Sequence, residues 1–415
     1  MIGKRFMSVK AFEKISLNSG LTLKNRCVKA AMEESLGNEK QQPDGHIERL
    51  YRRWSAGGVG LIITGNVMVD KLAMTGPGGL ALVDESAVEA FAKQAKAGQQ
   101  DGTKIIMQIN HPGRQVYRKM NGKVLSPSAI PLDLGKHSKL FGTPRAMTEE
   151  EIHDVVQRFA NTAKLAEKAG FNGIQVHAAH GYLISQFLSP LVNQRDDIWG
   201  GCLENRALLL VDVIKSIKAV VSASFSISVK LNSADFQRGG FDVDEAKQVV
   251  EMLSDLAIDF VELSGGSYES AAMQGITKDG RTLEREAYFL SFAQQIAEQT
   301  TLPIMTTGGV TQLSTVERVL ENDIELVGIA SALAFEPALI NKWQEAPQFR
   351  ANILHPSFTD KTLHALGTMA IVRRQLIRLG QGKQSQKKQC SIFTLVRDQL
   401  RSARLTQRYL TNVKR

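Results

Sequence analysis

Cysteine is scarce in this chain: Cys27, Cys202 and Cys390 are the only three in 415 residues, and they lie far apart. That spacing excludes a disulfide framework and a clustered iron–sulfur site, and it points to a reducing, cytoplasmic compartment. No run of about 18 apolar residues occurs, so no segment is expected to span a bilayer. The opening stretch lacks a basic start joined to a continuous apolar run, so no secretory signal is expected. Acid is missing from one region only. From Lys361 onward, 13 Lys/Arg stand against Asp398 alone, so the net charge of +9 describes a slightly acidic body with a basic tail. With 43% hydrophobic and 22% charged residues, the rest has the make-up of a globular protein. Its length leaves room for one barrel of about 250 residues or more plus an extension.

Short apolar runs alternate with helix-length segments. The runs fall at 24–32, 58–65, 104–110, 174–176, 225–231, 260–264, 303–309 and 325–330, with helical patterns over 85–100, 243–256 and 284–298 among others. Thr148 followed by Glu151 is a capping box, opening a helix that runs to Ala169 and closes at Gly170. Eight buried strands spaced by helices predict a (β/α)8 TIM barrel, whose strands all deliver their C-terminal ends to one mouth. The loop from His111 to Thr148 is long enough to read as a lid or binding loop. After about residue 356 the alternation stops. Two amphipathic helices, over 363–380 and 392–410 with a Gly/Gln/Lys linker, are expected there, giving a barrel over 1–355 and a basic helical extension over 356–415.

The stretch from Gly173 to Arg206 organises the rest. A buried strand ends in His177, His180 and Tyr182, three hydrogen-bonding or proton-handling groups within six residues. A loop containing Pro190 and Gly200-Gly201 then leads into an apolar helix near Leu203. A His-x-x-His pair without a suitable third ligand does not make a metal site. Other polar or special residues at strand ends are Glu33, Gly65, Gln108, Lys230, Ser264, Gly308, Gly309 and Ser331. Alone, each reads as turn chemistry; the barrel brings them together.

The motif HAAHGYLISQFLSP, followed by N-R-D and GG-LENR, resembles the flavin-dependent ene-reductases of the old yellow enzyme family, also called NADH:flavin oxidoreductases. The resemblance runs in order through roughly the first 345 residues. It implies FMN in the mouth, with NADH or NADPH as hydride donor and an electrophilic alkene as substrate. By resemblance, Ala31, Met32 and Glu33 contact the flavin ring, and Gly65 packs near it. Gln108 bonds the pyrimidine edge, and Lys230 stands where the family usually has arginine, near N1. Gly308 and Gly309, with Ala330 and Ser331, match the phosphate cradle. His177 and His180 resemble the pair that binds the carbonyl oxygen, and Tyr182 the proton donor to the α-carbon.

Besides Lys230, two positions depart from the family pattern. Glu33 replaces a small Thr or Cys, and Ser331 stands where an arginine commonly holds the phosphate. His111, Arg114 and Tyr268 are further candidates for the mouth, and 235–241 for its cover; Arg195–Asp197 and Glu204–Arg206 read as scaffold. A dienoyl-CoA reductase of the same family is opposed by the missing iron–sulfur cysteines. Two further readings remain: a barrel acting on or binding nucleic acid through the tail, and a non-catalytic barrel. The tail itself is expected to meet an anionic surface or another subunit, in a monomer or a homo-oligomer.

Overall fold

The computed structural model describes residues 9–270, 272 and 287–413. Its centre is a ring of eight strands: β1 (Cys27–Lys29), β2 (Leu61–Ile63), β3 (Lys104–Asn110), β4 (Gly173–Ala178), β5 (Ser226–Asn232), β6 (Phe260–Ser264), β7 (Ile304–Thr307) and β8 (Leu326–Ile329). Each pairs in parallel with the next, and β8 returns to β1. Strands buried on both faces have no solvent side to mark, which is why the sequence shows unbroken apolar runs and not alternation.

The outer layer is built from α1 (Gly45–Ala56), α2 (Val88–Ala97), α3 (Glu149–Lys168), α4 (Leu183–Leu188), α5 (Leu203–Lys218), α6 (Val243–Ser254), α7 (Leu290–Ala297) and α8 (Leu313–Leu320). Two short helices follow β8: α9 (Ser331–Phe335) and α10 (Leu339–Glu345). The expected capping box is present in full: Thr148 Oγ1 accepts from the Glu151 N–H, and the Glu151 carboxylate accepts from the Thr148 N–H. The helix expected over 284–298 is shorter. Ala287 has φ of +60°, a left-handed conformation that cannot continue a right-handed helix. Positions 284–286 lie outside the described residues.

The interior is layered. At the lower end Val28, Leu61, Ile63, Ile106, Phe260, Met305 and Leu326 pack with Leu17 and Leu23. Those last two flank or belong to an antiparallel hairpin, Ile15–Ser16 with Thr22–Leu23, that plugs this end. Ser19 fixes the plug by donating its N–H and hydroxyl to Asp259, just before β6, at 2.7 Å each. Above the apolar layer the side chains turn polar.

The extension forms α11 (Lys361–Gly380) and α12 (Ser391–Val413). Neither helix stands free of the barrel. Arg49 Nε donates to Gly380 O (2.8 Å), Arg401 to Ser35 O, Lys119 Nζ to Ser402 Oγ (3.1 Å) and Tyr409 Oη to Lys71 O (3.1 Å). Ser35, Lys71 and Lys119 sit on loops after β1, β2 and β3, so α12 lies beside the mouth. Arg373 ties α11 to Asp398 of α12 at 2.6 Å. Among the described residues, no helix is long and apolar enough to cross a membrane.

Candidate active site

The end of β4 is bent by two consecutive left-handed residues, His180 (φ +62°) and Gly181 (φ +71°). A histidine in that region is strained by about 1–3 kcal/mol, so something must hold it there. Its N–H donates to Asn232 Oδ1 (3.0 Å) at the end of β5, and its carbonyl accepts from Gln115 Nε2 (3.0 Å). The turn brings the His180 ring edge-on to His177, centroids 5.0 Å apart, and Tyr182 edge-on to His177 at 4.8 Å. His177 Nδ1 accepts the Ala179 N–H (3.2 Å), which leaves the ring proton on Nε2 as a donor. His180 Nε2 lies 2.7 Å from Ser264 Oγ at the end of β6. Tyr182 Oη lies 3.2 Å from Tyr268 Oη.

Burial sets the protonation states. Both His177 and His180 are held well below the usual histidine range, first by loss of water and then by the charge of Lys230. The Tyr182 phenol is pushed up by burial and by the Glu33 carboxylate, with Tyr268 and Asn66 acting the other way. At neutral pH the cluster therefore offers uncharged imidazole and a protonated phenol.

These shifts have a consequence for stability. His177 and the equally buried His111, pushed down to about 4, both titrate below an unfolded histidine. Below about pH 6.5 the unfolded chain then binds more protons than the folded one. The stability is complete above that value and is lost as pH falls, by up to about 1.4 kcal/mol per pH unit for each group. Urea unfolding between roughly pH 7.5 and 5 should show His111→Gln with a shallower acid slope than wild type by that share; parallel slopes would contradict the assignment.

Deeper in the barrel a polar chain crosses four strands. Gln108 Nε2 donates to Gln175 Oε1 (2.7 Å), Gln175 Nε2 to Glu262 Oε2 (2.9 Å), and Lys230 Nζ to Glu262 Oε1 (2.7 Å). Lys230 is thus not a free cation but half of a buried ion pair, with two ammonium protons left to donate. A second pair lies nearby. Lys29, fully buried on β1, donates to Ile63 O (2.9 Å), sits 3.6 Å from Glu34 and lies 4.5 Å over the Trp54 ring. Burial lowers its pKa to about 8 in spite of Glu34. Glu34 also accepts from Tyr51 Oη (2.7 Å) and from the Gly65 N–H (3.2 Å). A Cβ on Gly65 would collide with Glu34 and with Met32 O, so the chain here needs glycine.

Ala31, Met32 and Glu33 follow β1 as half-buried residues, and Glu33 accepts from Thr75 Oγ1 (2.9 Å). After β7, Gly308 (φ +136°) and Gly309 (φ +68°) form a turn against Tyr288; a Cβ on either would meet its ring at 2.8 or 2.9 Å. Ala330 precedes α9 and Ser331 is its first residue. A flat ring with a polar edge fits this set: glycine backbone at Gly65, and an amide and an ammonium at Gln108 and Lys230, while the Tyr288 ring packs against Gly308-Gly309. Ser331 supplies a hydroxyl and no charge at the start of α9.

The remaining candidates divide. His111 turns inward, its Nδ1 accepting from the Gly113 N–H (3.1 Å), so it braces its loop. Arg114 straps loops together through Ile130 O (3.1 Å), Pro131 O (2.9 Å) and Glu269, the neighbour of Tyr268. Arg195 bonds Asp197, Pro127 O and Met147 O, and Arg206 bonds Leu188 O and Glu245, as scaffold should. The segment 235–241 is pinned through Asp235 to Ser189 Oγ (2.6 Å) and the Phe241 N–H (3.2 Å). Sequence reasoning missed Asn66, Asn232, Glu262, Lys29 and Glu34. Lys29 and Glu262 carried a signal, each an ionisable residue inside an apolar strand run.

A family model described as NADH:flavin oxidoreductase / NADH oxidase family matches residues 10–348. The NADH-dependent flavin oxidoreductase iliE of Hypocrea jecorina (strain QM6a) is 37% identical over 348 residues, covering 78% of this chain and 86% of that protein. The protein of the same name from Neonectria sp. (strain DH2) is 38% identical over 350 residues, or 78% of this chain, which spans 46% of that relative's length. The NADPH dehydrogenase of Clostridium acetobutylicum is 32% identical over 335 residues, 80% of this chain and 94% of the relative. The solved old yellow enzyme homologue from Zymomonas mobilis shares the fold, with a TM-score of 0.70 at 24% identity over 82% of this chain and 94% of that one.

Proposed function

The chain belongs to the NADH:flavin oxidoreductase / NADH oxidase family, and from that premise we propose an FMN-dependent enzyme that reduces an activated alkene with NADH or NADPH. When bound, the flavin supplies the hydride. Gln108 and Lys230 would hold the ring's polar edge, Gly65 and Ala31–Glu33 its sides, and Gly308, Gly309, Ala330 and Ser331 its phosphate. The observation that carries the reading is the His177–His180–Tyr182 cluster, with neutral donors and a protonated phenol fixed on one bent strand end.

His177 Nε2–H donates to the substrate carbonyl oxygen and His180 flanks it, which draws electron density from the conjugated alkene. Tyr182 holds its proton at neutral pH and gives it to the α-carbon as the carbonyl accepts charge. Nothing in the site favours a nucleic-acid substrate. The test is anaerobic: NADH or NADPH should bleach the flavin band, and cyclic enones, maleimides or nitroalkenes should restore it. Reoxidation by quinones alone would remove the alkene from the proposal, and no bleaching by either nucleotide would remove the nicotinamide donor.

Ser331 makes the proposal quantitative. A charge-assisted contact to phosphate is worth about 1.5–3 kcal/mol, against about 1 for a neutral hydrogen bond. Ser331→Arg should therefore tighten FMN binding by about two- to thirtyfold, and the wild type should purify partly flavin-depleted. Titration of stripped protein with FMN decides it; equal affinities mean that another group already neutralises the phosphate.

A further inference from the structure

The outward face of α12 is apolar and basic, while its inward face mixes polar and apolar side chains. Ser391, Thr394, Thr406 and Tyr409 are buried against the rest of the chain. Ile392 (65% exposed), Phe393 (60%), Val396 (52%) and Leu400 (59%) face solvent. The other exposed large hydrophobics of the described residues, Leu72, Leu140, Ile198, Val220 and Leu363, are scattered over the fold. Positions i, i+1, i+4 and i+8 share one side of a helix, so the four form a stripe. Along one edge run Arg397, Arg404 and Arg408, at spacings that stack them on a single line, all exposed. Lys383, Lys387 and Lys388 of the preceding linker are exposed as well. Asp398, the only acid in the region, is taken up by Arg373.

We propose that this face of α12 docks the enzyme onto an anionic lipid surface, with the apolar stripe in the acyl boundary and the arginines at the headgroups. Charge selects this occupant. A second copy meeting the stripe face to face would set one row of cations against its twin, with Asp398 already taken up by Arg373. RNA would satisfy the arginines and leave the aliphatic stripe in water, whereas a bilayer containing anionic lipid satisfies both halves. The helix is not apolar enough to span, so it lies in the interface plane. The inward bonds from Arg401 and Tyr409 hold it on the barrel while it docks.

The experiment is co-sedimentation of the full-length flavoprotein with phosphatidylcholine vesicles, with and without phosphatidylglycerol. Wild type should pellet with the anionic vesicles, be released by high salt and ignore the zwitterionic ones. Arg397→Gln and Arg404→Gln should each weaken the partition about fivefold. Phe393→Asp with Leu400→Asp should abolish it while leaving NAD(P)H oxidation and the flavin spectrum unchanged. Wild type that stays in the supernatant overturns the proposal. So does a solution dimer that the Phe393→Asp/Leu400→Asp pair splits into monomers, because a second copy then covers the stripe. Salt-sensitive RNA binding without vesicle binding overturns it equally.

Discussion

Tyr182→Phe should lower turnover with a simple cyclic enone by about 10²–10⁴, the usual contribution of a positioned general acid. The rate at which NAD(P)H bleaches the flavin should stay near wild type, because that half of the cycle needs no proton from this ring. The phenol's environment is what makes the loss large. Tyr182 is 6% exposed, and burial together with the Glu33 carboxylate keeps its proton in place. Water has little access to substitute for it. The Tyr268 hydroxyl lies 3.2 Å away, so Tyr182→Phe/Tyr268→Phe belongs beside the single variant. If the single variant falls less than tenfold and the pair falls fully, the two phenols share the proton. Unchanged turnover in both variants would falsify the assignment of Tyr182.

Lys230→Met should cost the flavin-free protein about 3–5 kcal/mol of unfolding free energy, the penalty for leaving one charge of a buried pair alone. The side chains of Lys230 and Glu262 are 5% and 0% exposed, so solvent cannot screen the survivor. Glu262 keeps the Gln175 amide as its hydrogen-bond partner after the change, with the Lys29 ammonium acting on it at longer range. Adding Glu262→Gln should restore most of the loss, since a buried ion pair is worth little over a neutral hydrogen-bonded set even though half of one is costly. Urea unfolding of wild type, both single variants and the double variant gives the coupling directly. Single variants within about 1 kcal/mol of wild type would show that water reaches Glu262 once Lys230 is gone. Flavin must be absent from these measurements, because its binding to the folded state alone would add its own stabilisation.

How much was legible from residues alone follows the range of the interactions. The eight strand runs, the Thr148 capping box and the His177–Tyr182 motif all lie within short windows, and local pattern suffices for them. Glu33 and Glu34 are neighbours in sequence with opposite fates. Glu33 stays at the mouth beside Thr75, whereas Glu34 turns under β2 to Lys29, Tyr51 and Gly65. No periodicity separates them, because the choice depends on where β2 passes. The same holds for His180, whose backbone N–H is held by Asn232 and whose ring by Ser264, on two later strands.

The sequence by itself determined the barrel, the strand carrying the proton-handling cluster, and the helical character of the basic tail. Each of these is written in hydrophobic period or in a compact motif. Tertiary structure alone decided which cations are paired and where the tail rests. Lys230 meets Glu262 because β5 and β6 are in a register that sets those two positions side by side. The Arg401–Ser35 contact joins residues 366 positions apart. Closure of the ring fixes such neighbours, and closure is a property of the whole chain that no window of it contains.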